Sequence, residues 1–333
     1  MIYPANFEEK IGFDRIREQV TALCSTPSAK AKLAEEGFST SADEIERRLS
    51  LMNEMRSLLM LERDFPDGDY PDPAPLVAKI RVEGSYLLAA EADQLRKALV
   101  TVGAIAEFIL GRGGARYPRL WELSRRVTLF PEIVRAIDAI LDDRGEVKDS
   151  ASPELQQVRR AIREREGQAA KRLQQVLQRA KQAGIVDADA VLSVRDGRPV
   201  IPVAAANKRK LQGFIHDESA TGRTFYVEPV EVVEINNELK ELEYAERREV
   251  VKVLSAFTES IRPDAEAIAD AGDYLSSVDM IRAKARWALA NDAGKPILST
   301  DDRLELRTAR HPLLQQTLRA QGREVVPLDL ALD

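Results

Sequence analysis

Two uninterrupted helical patterns dominate the chain, SPELQQVRRAIREREGQAAKRLQQVLQRAKQAG (residues 152–184) and PVEVVEINNELKELEYAERREVVKVLSAFTESIRP (residues 229–263). The first opens with a hydroxyl cap and a proline, Ser152-Pro153, and its only helix breaker before Gly184 is Gly167. Apolar residues recur mostly every three or four positions in both, with one longer gap in the middle of each seam: Leu155, Val158, Ile162, Ala169, Leu173, Val176 and Ala180, then Val232, Ile235, Leu239, Leu242, Val250, Leu254, Phe257 and Ile261. Such seams predict two helices about 45 Å long, paired as an antiparallel hairpin that projects from a larger body.

The charges of the two helical stretches are complementary. Residues 154–183 carry eight basic and three acidic side chains, whereas residues 228–249 carry three basic and eight acidic ones. Opposite charges on facing helices favour the antiparallel pairing, although each exposed ion pair contributes only about 0.2–1 kcal/mol.

Between the two helical stretches the apolar period changes to two, which is typical of strands. Residues 191–195 are predicted to form a strand, and Asp196-Gly197 is a hairpin-turn sequence. Residues 198–203 return as a strand that two prolines restrict to a sheet edge. Two further strands are predicted at residues 211–216 and 224–227. The sequence therefore predicts a small antiparallel β module at the tip of the helical hairpin.

The remaining sequence predicts mostly short helices. Before the hairpin these cover residues 11–20, a helix opening at Thr26-Pro27, a capped helix after Ser41, and residues 89–110, 118–126 and 131–141. Four prolines predict a loop over residues 64–75. After Pro263 two helices are expected, at residues 265–274 and 278–290, and alternating segments follow at residues 303–307 and 325–330. The terminal segment is expected to be an edge strand of a domain that continues beyond it.

Composition and motifs exclude several classes of protein. The 333 residues contain one cysteine and two histidines, 31% charged residues and 44% apolar residues. Cys24 alone cannot form an intrachain disulfide and fits a cytoplasmic protein, and no apolar run approaches the length of a membrane span. His216 and His311 lie far apart, without ligand spacing to other metal-binding residues. Neither a phosphate-binding loop nor a nucleophile elbow occurs, so we expect no catalytic, cofactor or metal residues in this chain.

Positive charge is concentrated in residues 154–223, which carry 14 Lys or Arg against eight Asp or Glu. Because the whole chain has a net charge of −6, the other residues sum to −12. Lys208-Arg209-Lys210 is predicted on a loop, with Arg195, Arg198 and Arg223 on neighbouring turns. Lys and Arg side chains that contact phosphates release counterions and bind nucleic acid without reading its sequence. These six cations are therefore the candidate nucleic-acid-binding residues, and a merely solvated turn is the alternative.

Other polar and aromatic residues of the module and its helices receive structural interpretations. Phe214, Phe225 and Tyr226 are interpreted as core residues rather than as groups that stack on bases. His216 is interpreted as a strand-end residue and not as a ligand. Asn236-Asn237 interrupts the second seam, either as a buried polar pair that sets the helix register or as a solvent-facing pair.

Eight sequence motifs resemble one known family. They are GFDRI (12–16), EIERRL (44–49), GEVKDSASPEL (145–155), VRDGRPVIPV (194–203), HDESATG (216–222), FYVEP (225–229), EINNEL (234–239) and ARHPLL (309–314). In them the chain is similar, over nearly its whole length, to MutS-II, the branch of the MutS DNA-repair and recombination ATPases that carries a C-terminal Smr domain and lacks the mismatch-reading domain.

The resemblance implies a mainly α fold, in which a helical core carries a long antiparallel lever hairpin with a small antiparallel β clamp at its tip. The implied division is a core over residues 1–152, lever helices over 153–189 and 229–262, a clamp over 190–228, and a core return over 263–333 that leads to the ATPase. It also implies that the ATPase and the Smr endonuclease lie outside this chain, so that ATP and magnesium are expected only there.

The resemblance further implies a homodimer that embraces branched or duplex DNA and limits recombination, and it places Arg195, Arg198, Lys208, Arg209 and Lys210 against the nucleic-acid backbone. Our main hypothesis is a non-catalytic nucleic-acid clamp coupled to the ATPase. A second hypothesis is an assembly module that dimerises or docks on collided ribosomes through protein or ribosomal RNA. A third is that the isolated region binds neither, because binding requires dimerisation through the ATPase.

Overall fold

The computed structural model describes residues 6–195, 197–299 and 303–332. Asp196 of the predicted hairpin turn lies outside these described residues. The chain is mainly helical and contains a small antiparallel sheet, as predicted. It divides into two compact units, Met1–Ile137 with Thr258–Asp333, and Asp138–Phe257. No helix within the described residues combines the length and apolar character needed to cross a membrane.

The first unit is a helical body with one small two-stranded sheet. Its elements are α1 (Phe7–Lys10), α2 (Phe13–Leu23), α3 (Pro27–Glu35), α4 (Ala42–Leu61), α5 (Ala74–Ile80), α6 (Ala89–Gly111), α7 (Pro118–Ser124), α8 (Pro131–Ile140, whose end enters the second unit), α11 (Ala265–Ala290), β5 (Leu304–Ala309), α12 (Pro312–Ala320) and β6 (Leu328–Leu332). Strands β5 and β6 pair in antiparallel fashion. The predicted caps are present, because Thr26 accepts a hydrogen bond from Ala29 N and Ser41 accepts one from Glu44 N.

Helix α11 supplies the centre of this unit. Its buried residues, including Leu275 and Val278, share one apolar cluster with Met55 and Leu58 of α4 and Ile105 of α6. The prediction of two helices over residues 265–290 is wrong, since α11 is continuous. The hydroxyls of Ser276 and Ser277 donate to the carbonyl of Asp273 at 2.9 and 2.8 Å, which satisfies these polar groups inside the helix.

The proline-rich segment forms a loop that is shorter than predicted. Helix α5 already begins at Ala74, so Pro75, the predicted end of the loop, lies in the first turn of the helix. Proline is tolerated there because the backbone N–H groups of the first turn have no acceptor within the helix. Asp72 fixes this start, because its Oδ1 accepts from Ala74 N at 3.0 Å and its Oδ2 accepts from Ser28 N at 2.8 Å.

A buried ion pair joins α11 to the segments around it. Arg282 is 0% exposed and donates from Nη2 to Asp279 Oδ1 at 2.9 Å. The same guanidinium lies 3.7 Å from the ring centroid of Tyr70, and Asp279 Oδ2 accepts from the Thr26 amide at 2.8 Å. Cys24 packs nearby, and burial raises the pKa of its thiol to about 11, which keeps it protonated and unreactive.

The second unit contains the two long helices and a four-stranded sheet. Its elements are α9 (Pro153–Gln182), β1 (Ser193–Arg195), β2 (Arg198–Ala204), β3 (Gly213–Glu218), β4 (Thr224–Pro229) and α10 (Val230–Ile261, whose last turn belongs to the first unit). Three ion pairs show that α9 and α10 run antiparallel, because partners further along α9 lie further back along α10: Arg159–Glu246 at 2.7 Å, Arg165–Glu238 at 2.9 Å and Arg179–Glu231 at 3.9 Å. The predicted charge complementarity therefore corresponds to real contacts.

The sheet has the strand order β1-β2-β4-β3, with every pair antiparallel. Its inner face, with Val203 and Val227, packs on Leu173 and Leu177 of α9. The prediction that the proline-containing strand lies at an edge is wrong, since β2 has neighbours on both sides. Residues 198–200 pair only with β1, and residues 201–204 pair only with β4. Pro199 and Pro202, which lack a backbone N–H, therefore each lie where β2 is paired on one side only, and the missing donor is tolerated.

Candidate nucleic-acid interface

The six candidate cations all lie on the sheet of the second unit or on its loops. Arg195 ends β1, Arg198 begins β2, Lys208-Arg209-Lys210 follows β2, and Arg223 precedes β4. Their surroundings divide them into two groups. Two of them are engaged by carboxylates, and four are exposed.

Arg198 is held inside the unit. Its Nη1 donates to both carboxylate oxygens of Glu228, at 2.9 and 3.0 Å, and its Nη2 donates to Asn237 Oδ1 at 3.0 Å. Its side chain is only 25% exposed, and that of Glu228 is 1% exposed. The charge of Arg198 is thus balanced locally, so it contributes less to an external field than its position in the sequence suggests.

Glu228 is the centre of a buried polar cluster that sequence reasoning missed. Besides Arg198, its carboxylate contacts His216 Nε2 at 2.6 Å and accepts from Asn236 Nδ2 at 2.6 Å. Burial alone would raise the pKa of Glu228, but the hydrogen bonds from Asn236, His216 and Arg198 hold that pKa below its ordinary value. The carboxylate is therefore ionised at neutral pH, and it ties β2, β3 and β4 to the first turns of α10.

This cluster resolves two of the sequence interpretations. Asn236 is buried, so the polar interruption of the second seam points inward, while the exposed neighbour Asn237 reaches Arg198. The interpretation of His216 as a strand-end residue is wrong, because it lies inside β3 and its Nε2 bonds to the carboxylate of Glu228. Separately, the described residues contain no group of His, Cys, Asp or Glu side chains that could hold a metal ion.

Arg195 is the second cation with a carboxylate partner. Its Nε donates to Asp217 Oδ2 at 2.8 Å, and its guanidinium carbon lies 3.7 Å from the ring centroid of Tyr226. This stack fixes the guanidinium plane on the sheet surface. An arginine held in this way keeps donors for a phosphate but brings little net charge.

The other four cations, Lys208, Arg209, Lys210 and Arg223, are exposed. Within residues 6–195, 197–299 and 303–332, no carboxylate forms an ion pair with any of them. The backbone beneath them is nevertheless fixed, because Asn207 donates from Nδ2 to Ile185 O at 3.0 Å and Lys210 N donates to Asn207 O at 2.8 Å. The loop thus presents uncompensated positive charge from a defined position.

The aromatic residues differ from one another in their exposure. Phe225 is partly buried and packs against the apolar cluster of the unit, as predicted for a core residue, and Lys208 Nζ lies 4.4 Å from its ring centroid. Tyr226 is partly buried beneath Arg195. Phe214 is 59% exposed, so its interpretation as a core residue is wrong. The reason is that the part of β3 that carries Phe214 and Ile215 has solvent on both faces.

Comparison with known proteins adds an independent observation. No family model matches the chain. Curated relatives named Endonuclease MutS2 do match. The relative from Bacillus velezensis is 31% identical over 306 residues, which cover 91% of this chain and 39% of the relative. The relative from Pelotomaculum thermopropionicum is 30% identical over 324 residues (97% of this chain and 40% of the relative), and the one from Thermomicrobium roseum is 32% identical over 333 residues (96% and 41%). The chain therefore spans about 40% of the length of these relatives.

Proposed function

This chain belongs to the MutS2 family, and on that premise we propose that it is a non-catalytic nucleic-acid-binding region whose second unit contacts phosphates. In this proposal residues 190–228 are a clamp, residues 153–189 and 229–262 are lever helices, and residues 1–152 and 263–333 form the core. The preferred ligand is duplex or branched DNA, bound without sequence preference.

One observation carries the proposal. Lys208, Arg209, Lys210 and Arg223 are exposed on the sheet's loops, and none has a carboxylate partner among the described residues. Phosphate contacts by such side chains release counterions, which drives binding and makes it dependent on salt. The two arginines already engaged, Arg195 and Arg198, support the sheet on which these cations are displayed.

The proposal predicts how a charge-neutralising variant behaves. The triple variant Lys208→Gln, Arg209→Gln, Lys210→Gln should bind a labelled DNA duplex more weakly. If each side chain contacts one phosphate, the slope of a plot of log K against log salt concentration should decrease in magnitude by about 2.7. Fluorescence anisotropy across a salt series measures both quantities.

A matched control removes the same charge elsewhere. Arg125, Arg126 and Arg135 are exposed in the first unit and pair with Glu122 or Glu132, so changing these three to Gln should leave the salt dependence unaltered. Equal slopes for the triplet variant and the unaltered chain would contradict the assignment of the loop.

At the level of the longer protein, we propose that DNA binding by this region is coupled to an ATPase and serves to suppress homologous recombination. The relatives are named endonucleases, and this chain spans about 40% of their length, so we assign that activity to the rest of the longer protein. We assign ATP and magnesium binding there too, since the sequence here contains no phosphate-binding loop. Homodimerisation and a cytoplasmic location complete this proposal.

A second candidate function is assembly, either with another copy or with a collided ribosome through protein or ribosomal RNA. The observation that favours it is the set of exposed apolar side chains on the outer strands β1 and β3, namely Val194, Phe214 and Ile215. Apolar side chains at exposed sheet edges are typical of protein contacts. Changing Phe214 to Ser should reduce self-association or ribosome binding if assembly is the function, and should leave duplex affinity unchanged.

A further inference from the structure

The last four turns of α9 present an unusual surface to solvent. Seven side chains there are exposed and lie within one arc of the helix, opposite its buried seam of Leu173, Val176, Leu177 and Ala180. We call them the basic–glutamine face, and they are Gln168, Lys171, Arg172, Gln175, Gln178, Arg179 and Gln182.

The composition of this face is that of a phosphate-binding surface. Its three cations and four amides can all donate hydrogen bonds to phosphate oxygens. No acidic residue occurs in the sequence between Glu166 and Asp187, so the face carries no negative charge of its own. With a rise of 1.5 Å per residue, the face extends about 21 Å along the helix. One strand of a duplex places about six phosphates along that length of its axis.

The cations that precede this face along α9 are all in ion pairs. Arg159 and Arg163 pair with Asp149, Arg160 pairs with Glu164, and Arg165 pairs with Glu238. On the basic–glutamine face only Arg179 has an ion pair within the described residues, at 3.9 Å from Glu231. Lys171 and Arg172 have none there. Along α9, therefore, short ion pairs give way to cations of which only Arg179 has a carboxylate partner among the described residues, at 3.9 Å.

The face lies at the same end of α9 as the basic loop. Helix α9 ends at Gln182, and the carbonyls of Gly184 and Ile185 accept hydrogen bonds from Asn207 Nδ2 at 3.4 and 3.0 Å. Lys208 follows Asn207 directly. The side chain of Asn207 thus anchors the loop that carries the triplet to the residues that follow the end of α9.

We propose that the basic–glutamine face of α9 is a second phosphate-contacting surface, which binds the backbone of the same duplex that the 208–210 loop contacts. This inference rests on the proposed function and extends it to residues of α9. The chemistry recognised is a run of phosphodiesters, which duplex DNA and duplex RNA share.

The test is a pair of charge-neutralising variants of the 333-residue chain. The double variant Lys171→Gln, Arg172→Gln should bind a duplex more weakly. If each lost cation contacted one phosphate, the slope of log K against log salt concentration should decrease in magnitude by about 1.8. The matched control is Arg247→Gln with Arg248→Gln, two adjacent exposed arginines on the acidic helix α10, which should leave the slope unchanged. Labelled DNA and RNA duplexes of the same sequence form the two arms.

The outcomes separate this inference from the proposed function. If the loop triplet variant loses affinity and the α9 variant does not, the α9 face does not bind and the proposed function stands. If the control lowers the slope as much as the α9 variant does, the effect is one of net charge and the inference is overturned. If the unaltered chain binds neither duplex, both proposals fail.

A third variant tests the amides of the face. Gln175→Glu keeps the side-chain shape but introduces a carboxylate in the middle of the face, so we expect affinity for both duplexes to fall. Unchanged affinity would contradict a contact along the centre of the face.

Discussion

Glu228 shows how one buried carboxylate can hold several elements together. It follows Val227, a core residue of β4, and it is satisfied by donors from β2, β3 and α10. Removing one partner of a buried charge is costly because the remaining charge has no compensation. The cluster thus fixes the sheet relative to the start of α10 and, with it, the position of the basic loops.

Glu228→Gln is expected to destabilise the second unit by about 1–3 kcal/mol, because it leaves the guanidinium of Arg198 without its charge partner. Hydrogen exchange of the β2–β4 amides measures the effect and should be faster in the variant. Both tryptophans, Trp121 and Trp287, lie in the first unit, so their fluorescence provides an internal control.

The lowered pKa of Glu228 also gives a pH dependence with a definite sign. A carboxylate whose pKa is depressed by folding stabilises the folded state above its unfolded pKa of about 4.3, and this contribution is lost as the pH falls through the folded value. The difference between the unaltered chain and the variant should therefore shrink below about pH 4.3. A difference that stays constant down to pH 2 would contradict the assigned role.

Helix α9 is 30 residues long and contains one glycine in its interior, Gly167, which is exposed. The helix continues through this position, and a side chain added there would meet no neighbouring atom within 4 Å. Glycine inside a helix costs stability relative to alanine, chiefly because it loses more conformational freedom on folding. The glycine is therefore a local weakness in an otherwise regular helix.

Gly167→Ala is expected to stabilise the second unit by about 0.5–1 kcal/mol. Gly213→Ala, at the first residue of β3, should have the opposite effect, because an added Cβ would collide with the carbonyl oxygen of Glu228. Urea unfolding followed by circular dichroism at helical wavelengths measures the first variant, and exchange of the β3 amides measures the second. Stabilisation by both substitutions would show that the close approach of β3 to β4 is not maintained in solution.

Positive and negative charges are concentrated in different parts of the sequence. Residues 154–223 carry a net +6 within a chain of −6. Within the part of this region that the structure describes, the cations without an ion-pair partner lie on α9 and on the loops of the sheet. A polyanion senses the local field over about one Debye length, so an acidic protein can still bind nucleic acid through such a region.

Sedimentation velocity with and without duplex DNA tests whether the 333-residue chain is a nucleic-acid clamp or an assembly module. If it is a nucleic-acid clamp, the sedimentation coefficient should rise on addition of duplex at low salt and return to its starting value at high salt. A stable dimer whose sedimentation is the same with and without DNA would favour the assembly function instead.

Local sequence patterns specified the long elements of this protein and their caps. The apolar period of α9 and α10, the Ser152-Pro153 start and the complementary charges are properties of neighbouring residues, so both helices and their antiparallel pairing follow from the sequence. The six cations were likewise visible, although their binding to nucleic acid stays a prediction.

Contacts between distant residues were accessible only in the folded chain. The position of β2 between two strands, the pairing of Arg198 with Glu228, the inward orientation of Asn236 and the exposure of Phe214 each depend on a partner far away in sequence. Periodicity shows which side chains of a strand share a face, but not which face is covered or which strand lies alongside. Those choices depend on packing free energy that is summed over the whole unit, and so Arg198 and Lys208, similar as sequence features, occupy a buried ion pair and an open surface.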